Sequence, residues 1–173
     1  HAVRDGPRCA RPHNGKTLNG QMSRLKTIAE AYRRALLSRI VSPAEVVAWV
    51  DQEIGASAEP HWALLEASLS GKRPEALASV LGELPGEADT TKMVKHLLAF
   101  LSTELEGSPE KAGEFCSFLS STALSLEYAL PDLYDEMIWF DDAFRLARSG
   151  VYGREEEVVR DLVAFARRHG RAI

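Results

Sequence analysis

From Leu25 to Ala166 the large apolar side chains recur at three- and four-residue spacing. Nowhere do they alternate with polar ones in the period-two manner of a half-buried strand. That pattern confines the chain to helices that bury one stripe each. Val151-Tyr152, set between two glycines, is the single β-leaning fragment.

Turn and capping residues cut the pattern into pieces. The first helix is predicted from about Ser23 to Arg39, with Leu25, Ile28, Ala29, Tyr32, Ala35, Leu36 and Ile40 inward. Ser42-Pro43-Ala44-Glu45 then offers a hydroxyl at the N-cap, a proline where its missing N–H is harmless, and a glutamate that reaches back to complete a capping box. Pro60 and Pro74 precede two shorter patterns, and Asp89 can cap a longer one through Met93, Leu97, Leu101 and Leu105, ended by Gly107. Ser108-Pro109-Glu110 opens a helix to about Leu130 that reads as buried on most of its circumference. Pro131 opens the next, with Leu133, Met137, Phe140, Phe144 and Leu146-Ala147 toward the core. The last runs from about Arg154 to His169 with Val158, Leu162, Phe165 and Ala166 inside. The predicted class is all-α: about eight helices as successive antiparallel hairpins, in a bundle or a compact superhelical array. The hairpins share no spaced signature of a named repeat.

A chain of 173 residues with 45% hydrophobic content can build one core without disulfides or metals. The first 21 residues, rich in Pro, Gly, Asn and Arg, carry no signal-peptide pattern and are expected to be a disordered leader or a vector-derived extension. Met22 is then the expected start of a single helical domain over 22–173. The longest uncharged apolar stretch, Phe115 to Leu126, is twelve residues with five Ser or Thr, too short for a bilayer. The two cysteines, Cys9 and Cys116, define no disulfide or zinc framework, so a reducing, cytoplasmic setting is expected.

Charge is unevenly distributed. Of 21 Lys/Arg and 25 Asp/Glu, four and one lie before Met22, leaving 17 against 24. Met22 to Ile40 has five basic to one acidic residue, Val41 to Ala143 five to nineteen, and Phe144 onward seven to four. Between Ala112 and Phe144 there is no Lys or Arg, while Glu114, Glu127, Asp132, Asp135, Glu136, Asp141 and Asp142 are all acidic. Such a field repels nucleic acid and anionic membrane and attracts a basic protein.

Signatures of chemistry are absent. There is no glycine-rich phosphate loop, dinucleotide fingerprint, HExxH or Gly-x-Ser-x-Gly element. Asp135/Asp142 and Asp132/Glu136 have the spacing of same-face pairs, yet no Glu is followed three residues later by His as helical di-metal sites require, so neither metal nor cofactor is expected. His61 and His96 read as capping or surface groups, and Cys116 as a buried, inert thiol. Arg33, Arg34 and Arg39 with Arg167, Arg168 and Arg171 form one basic patch if the terminal helices pack together, the only nucleic-acid argument in the chain.

One segment stands out. In Asp135-Glu136-Met137-Ile138-Trp139-Phe140-Asp141-Asp142, four consecutive apolar residues cannot share one helical face, so Ile138 or Trp139 is left toward solvent unless a second layer of helices covers it. Asp132, Asp135, Glu136, Asp141 and Asp142 are the candidate steering and hydrogen-bonding groups of a protein interface, and Trp139 its anchor.

The stretch Leu37 to Asp51, LSRIVSPAEVVAWVD, together with Phe144 to Gly150, FRLARSG, resembles small helical immunity-type proteins of bacterial toxin systems. The resemblance implies a cytoplasmic, non-catalytic protein that binds and blocks a toxin, often a basic nuclease, through an acidic surface. Two other classes stay open: a helical adaptor or self-associating scaffold, whose oligomeric state the sequence leaves undetermined, and a metal-assisted hydrolase using the paired carboxylates.

Overall fold

The computed structural model describes residues 15–71, 73–126 and 129–171. Among them every regular element is helical, and the all-α class is as expected: α1 (Gly15–Leu37), α2 (Pro43–Ala56), α3 (Trp62–Leu69), α4 (Pro74–Gly82), α5 (Thr90–Gly107), α6 (Ala112–Ser125), α7 (Tyr134–Arg148) and α8 (Glu155–His169). A 3-10 turn, Pro109–Lys111, joins α5 to α6.

The helix starts follow local chemistry. Ser42 Oγ accepts from the Glu45 N–H at 3.3 Å while Glu45 Oε2 accepts from the Ser42 N–H at 2.7 Å, so the expected capping box is formed. Asp89 Oδ1 caps α5 by accepting from the Lys92 N–H at 3.0 Å. His61 caps α3 through Nδ1, which accepts from the Ala63 N–H at 3.2 Å. In α8 the buried residues are the four expected, Val158, Leu162, Phe165 and Ala166.

Three boundaries differ from expectation. The extension expected to be disordered through residue 21 is helical from Gly15, since adding residues to a formed helix costs far less than nucleating one; residues 1–14 lie outside the described residues. The α6 helix stops at Ser125, so Leu124 near its end is exposed rather than buried. The α7 helix starts at Tyr134, because Pro131, Asp132 and Leu133 form a turn.

The packing organises the helices as two units of four. In the first, α1 lies on α4, α2 on α3 and α3 on α4, with a thinner contact between α1 and α2. In the second, α5 lies on α8, α6 on α7 and α7 on α8, and α5 meets α6 through the 3-10 turn. Contact of α1 with α5 joins the units around one continuous core. This explains why α5 buries more than one stripe, Met93, Val94, Leu97, Leu98, Leu101 and Leu105, since it is covered by α1 and by α8. Buried Thr27 fastens the joint: its hydroxyl donates to the Ser23 carbonyl at 2.7 Å and accepts from the Asp89 N–H at 3.0 Å.

Candidate functional site

The second unit holds the candidate interface. Its α7 helix is anchored by Met137, Phe140, Phe144 and Ala147, all buried, with Phe140 set against Phe165 of α8 at a ring separation of 5.2 Å. At 3.6 residues per turn this leaves Asp135, Trp139, Asp142 and Leu146 along the opposite stripe, and all four are exposed. Trp139 retains 51% of its surface and rests edge-on against Phe140 at 5.1 Å. Ile138 is half-buried, so of the four consecutive apolar residues it is Trp139 that solvent reaches. Leu146, expected inside with Ala147, is exposed because only one of two adjacent residues fits beneath the helix.

The six expected site residues do not form one cluster. Asp135, Trp139 and Asp142 share the outward stripe, and Glu136 flanks it. Asp132 sits in the turn before α7, so its expected same-face pairing with Glu136 on one helix is not made. Asp141 faces α6, where its Oδ1 accepts from Ser117 Oγ at 2.8 Å. Asp142 is paired with Arg145 one turn on. Asp132, Asp135 and Glu136 make no ion pair with any described residue and are exposed, so their charge is free to act at a distance. Glu127 lies outside the described residues.

Other sequence candidates resolve differently. Cys116 is fully buried, and burial, reinforced by the Asp141 charge, pushes its thiol up to about 12, the inert state expected. His96, expected as a surface or capping group, is buried instead: Phe100 meets it edge-on at 4.5 Å and Tyr32 at 6.2 Å, and burial together with Arg24 holds its imidazole below the ordinary value. Tyr32 arriving from α1 and Phe100 one turn further along α5 account for this. Arg33 and Arg34 both turn onto Glu30, and Arg167 onto Glu106, so these arginines face carboxylates of their own surroundings. Burial would raise the Glu30 carboxyl, but the two guanidinium groups outweigh it and hold it low. No three His, Cys, Asp or Glu side chains among the described residues come close enough together to hold a metal ion.

A cleft of about 320 Å³ opens between α1, α2 and α5 over Tyr32, Trp49 and Phe100. Tyr32 stacks on Trp49 at 4.7 Å and 25° and tilts against Phe100 at 4.8 Å, so the Tyr32 ring is covered by its neighbours. Its two carboxylates are committed, Glu45 to the capping box and Glu104 to Lys111 at 3.5 Å. The cleft is therefore a packing seam.

Sequence reasoning missed a second outward ridge, on α3, where Trp62, Leu65 and Leu69 are exposed. The available signal was a short helix apolar on nearly every side, which must show one apolar face unless layers cover both. No family model, curated protein or solved structure matches the chain.

Proposed function

We propose that the chain is a non-enzymatic protein-binding module that captures a basic partner on the outward stripe of α7. The supporting observation is Trp139: a large aromatic held half in solvent by a helix whose other face is locked into the core, with Asp135 and Asp142 beside it. Aromatic anchors dominate binding energy, while exposed acids speed encounter with a positively charged protein and disfavour wrong partners. The specific form we favour is the immunity type, a cytoplasmic bacterial protein neutralising a basic toxin.

The test compares capture from source-cell lysate by the unaltered chain, by Trp139→Ala, and by a variant carrying Asp135→Asn, Glu136→Gln and Asp142→Asn. Recovery of one basic, toxic protein by the first alone, with its toxicity suppressed on binding, supports the reading; identical partners for all three defeat it.

A second reading, the self-associating scaffold, draws on the continuation of the stripe into Leu146, Val151 and Tyr152, all exposed. Their proximity follows from the Val151 and Tyr152 N–H groups donating to the Leu146 carbonyl at 3.0 and 3.3 Å. Sedimentation that shows mass rising with concentration, and a Leu146→Ser/Tyr152→Ser chain that stays monomeric, would select it over the first.

A further inference from the structure

The α3 ridge is the larger unpartnered apolar surface on a single helix. Trp62 is 56%, Leu65 44% and Leu69 82% exposed, and their spacing of three and four residues aligns them on one outward stripe, while Ala63, Leu64 and Ala67 face the core. Three large apolar residues in one line on an eight-residue helix exceed the scattered exposure ordinary for a surface.

The surroundings define what covers it. From Ile40 to Gly71 there is no Lys or Arg, while Glu45, Asp51, Glu53, Glu59 and Glu66 are acidic. Glu53 faces Arg24 at 3.6 Å and Glu45 is engaged in its cap, but Asp51, Glu59 and Glu66 are exposed. Asp51 of α2 is held beside the ridge by Ser68 Oγ, which donates to it at 2.6 Å, and Glu66 lies on the far side, one turn from Trp62. The ridge is thus an apolar line with a carboxylate on each flank. A second copy docked symmetrically would set these carboxylates against their own kind, and an anionic lipid surface would meet the same repulsion.

We propose that the outer face of α2 and α3 docks an amphipathic helix of a partner protein, one that carries Lys or Arg on either side of its apolar stripe. The partner's apolar residues cover Trp62, Leu65 and Leu69, and its cations pair with Asp51 and Glu66. This surface belongs to the first unit and does not depend on the α7 reading.

The experiment is calorimetric titration of the full chain with a synthetic amphipathic helix of Leu and Lys, and with its Leu and Glu counterpart. The Leu/Lys peptide is expected to bind and the Leu/Glu peptide not to. Leu65→Ser/Leu69→Ser is expected to weaken binding about ten-fold or more, since each exposed leucine loses its cover. Trp139→Ala/Leu146→Ser on α7 is expected to leave that α3 site in place. Equal affinity of the α3 variant and the unaltered chain would overturn the proposal, as would equal affinity for the two peptides. Self-association, or binding to phosphatidylserine vesicles, that disappears in the α3 variant would assign the ridge to a second copy or to lipid and overturn it equally.

Discussion

The two four-helix units place their helices in the same relation yet close by different means. In the first unit, α1 reaches the end of α4 and the segment beyond with side chains: Lys26 Nζ donates to the Gly82 carbonyl at 2.7 Å, and Ser23 Oγ to the Glu87 carbonyl at 3.3 Å. In the second, the end of α8 meets α5 backbone to backbone. The Arg171 N–H donates to the Lys95 carbonyl at 2.8 Å, and Gly170 lies so close to Ala99 that an added Cβ would stand 2.6 Å from its nitrogen. The third helices differ in the same spirit. Trp62, Leu65 and Leu69 on α3 have the spacing of Trp139, Asp142 and Leu146 on α7, so one outward stripe is apolar throughout and the other is broken by an acid. One arrangement of helices therefore leaves both its closure and its outer chemistry open to the residues placed on it.

The largest expected effect separates the two sides of α7. Phe140→Ala should destabilise the chain by about 3–5 kcal/mol, because it leaves a cavity between α7 and α8. Trp139→Ala, one residue away and half in solvent, should cost clearly less, about 1–1.5 kcal/mol for the part of the ring that rests on Phe140. Urea unfolding of both variants tests this, and a comparable loss for Trp139→Ala would mean that its ring is structural and not an anchor. Next in size is Gly170→Ala, expected to cost about 1–3 kcal/mol because the atoms it meets are backbone and cannot swing aside. Lys26→Ala, which removes the corresponding closure in the first unit, should cost about 1 kcal/mol or less, as the bond it breaks is exposed. Reversal of that order in thermal melts would show that the second unit closes more loosely than its backbone contact implies.

How far these features could be read beforehand depends on how local their causes are. The Ser42–Glu45 cap, the Asp89 cap and the α8 stripe rest on residues within a turn or two of one another, and they stand as read. That Ile138 or Trp139 would reach solvent unless a second layer covered it was also legible, since no helix hides four consecutive residues on one side, but which of the two was not. Burial of His96 was not, because it depends on Tyr32 arriving from α1. Nor was the inward turn of Asp141, which depends on where α6 places Ser117. Pairing of α1 with α4 and of α5 with α8 joins segments far apart in the chain, and periodicity says which face of a helix is apolar but not which other face meets it.

His96 gives the comparison a pH dependence, because it lies where α1 of the first unit meets α5 of the second. Its folded imidazole is held below the ordinary value of 6.5 by burial and by Arg24, while in the unfolded chain it titrates normally. As pH falls through that ordinary value the unfolded chain takes up a proton that the folded chain refuses. Stability from this group is therefore complete above that range and is lost below it, down to the folded pKa, at about 1.4 kcal/mol for each unit between the two. His96→Phe should flatten the decline in urea midpoint between about pH 7 and about pH 5. The carboxylates held low, Glu30 by its arginines and Asp89 by the Lys92 N–H, lose their contribution only in the acid range beneath. Parallel pH profiles for the variant and the unaltered chain would remove His96 from the joint.

The smallest effect concerns how the units end their helices. After α7, Gly150 takes φ +69°, and the N–H groups of Gly150 and Val151 donate to the carbonyls of Ala147 and Leu146, closing the helix end. After α1 the same pair of bonds runs from Arg39 and Ile40 to Leu36 and Ala35, but the residue in the left-handed well, at φ 60°, is Arg39. An arginine there carries a steric cost that glycine avoids, and Arg39 makes no ion pair with any described residue to offset it. Arg39→Gly is therefore expected to raise stability by about 0.5–1 kcal/mol, the relief of strain exceeding the entropy that glycine adds to the unfolded chain. Gly150→Ala should lower it by about 1 kcal/mol for the converse reason. A loss of stability in Arg39→Gly would mean that the side chain contributes packing along the groove it lines with Pro74, Glu104 and Lys111, and that the strained residue is part of how α1 meets its neighbours.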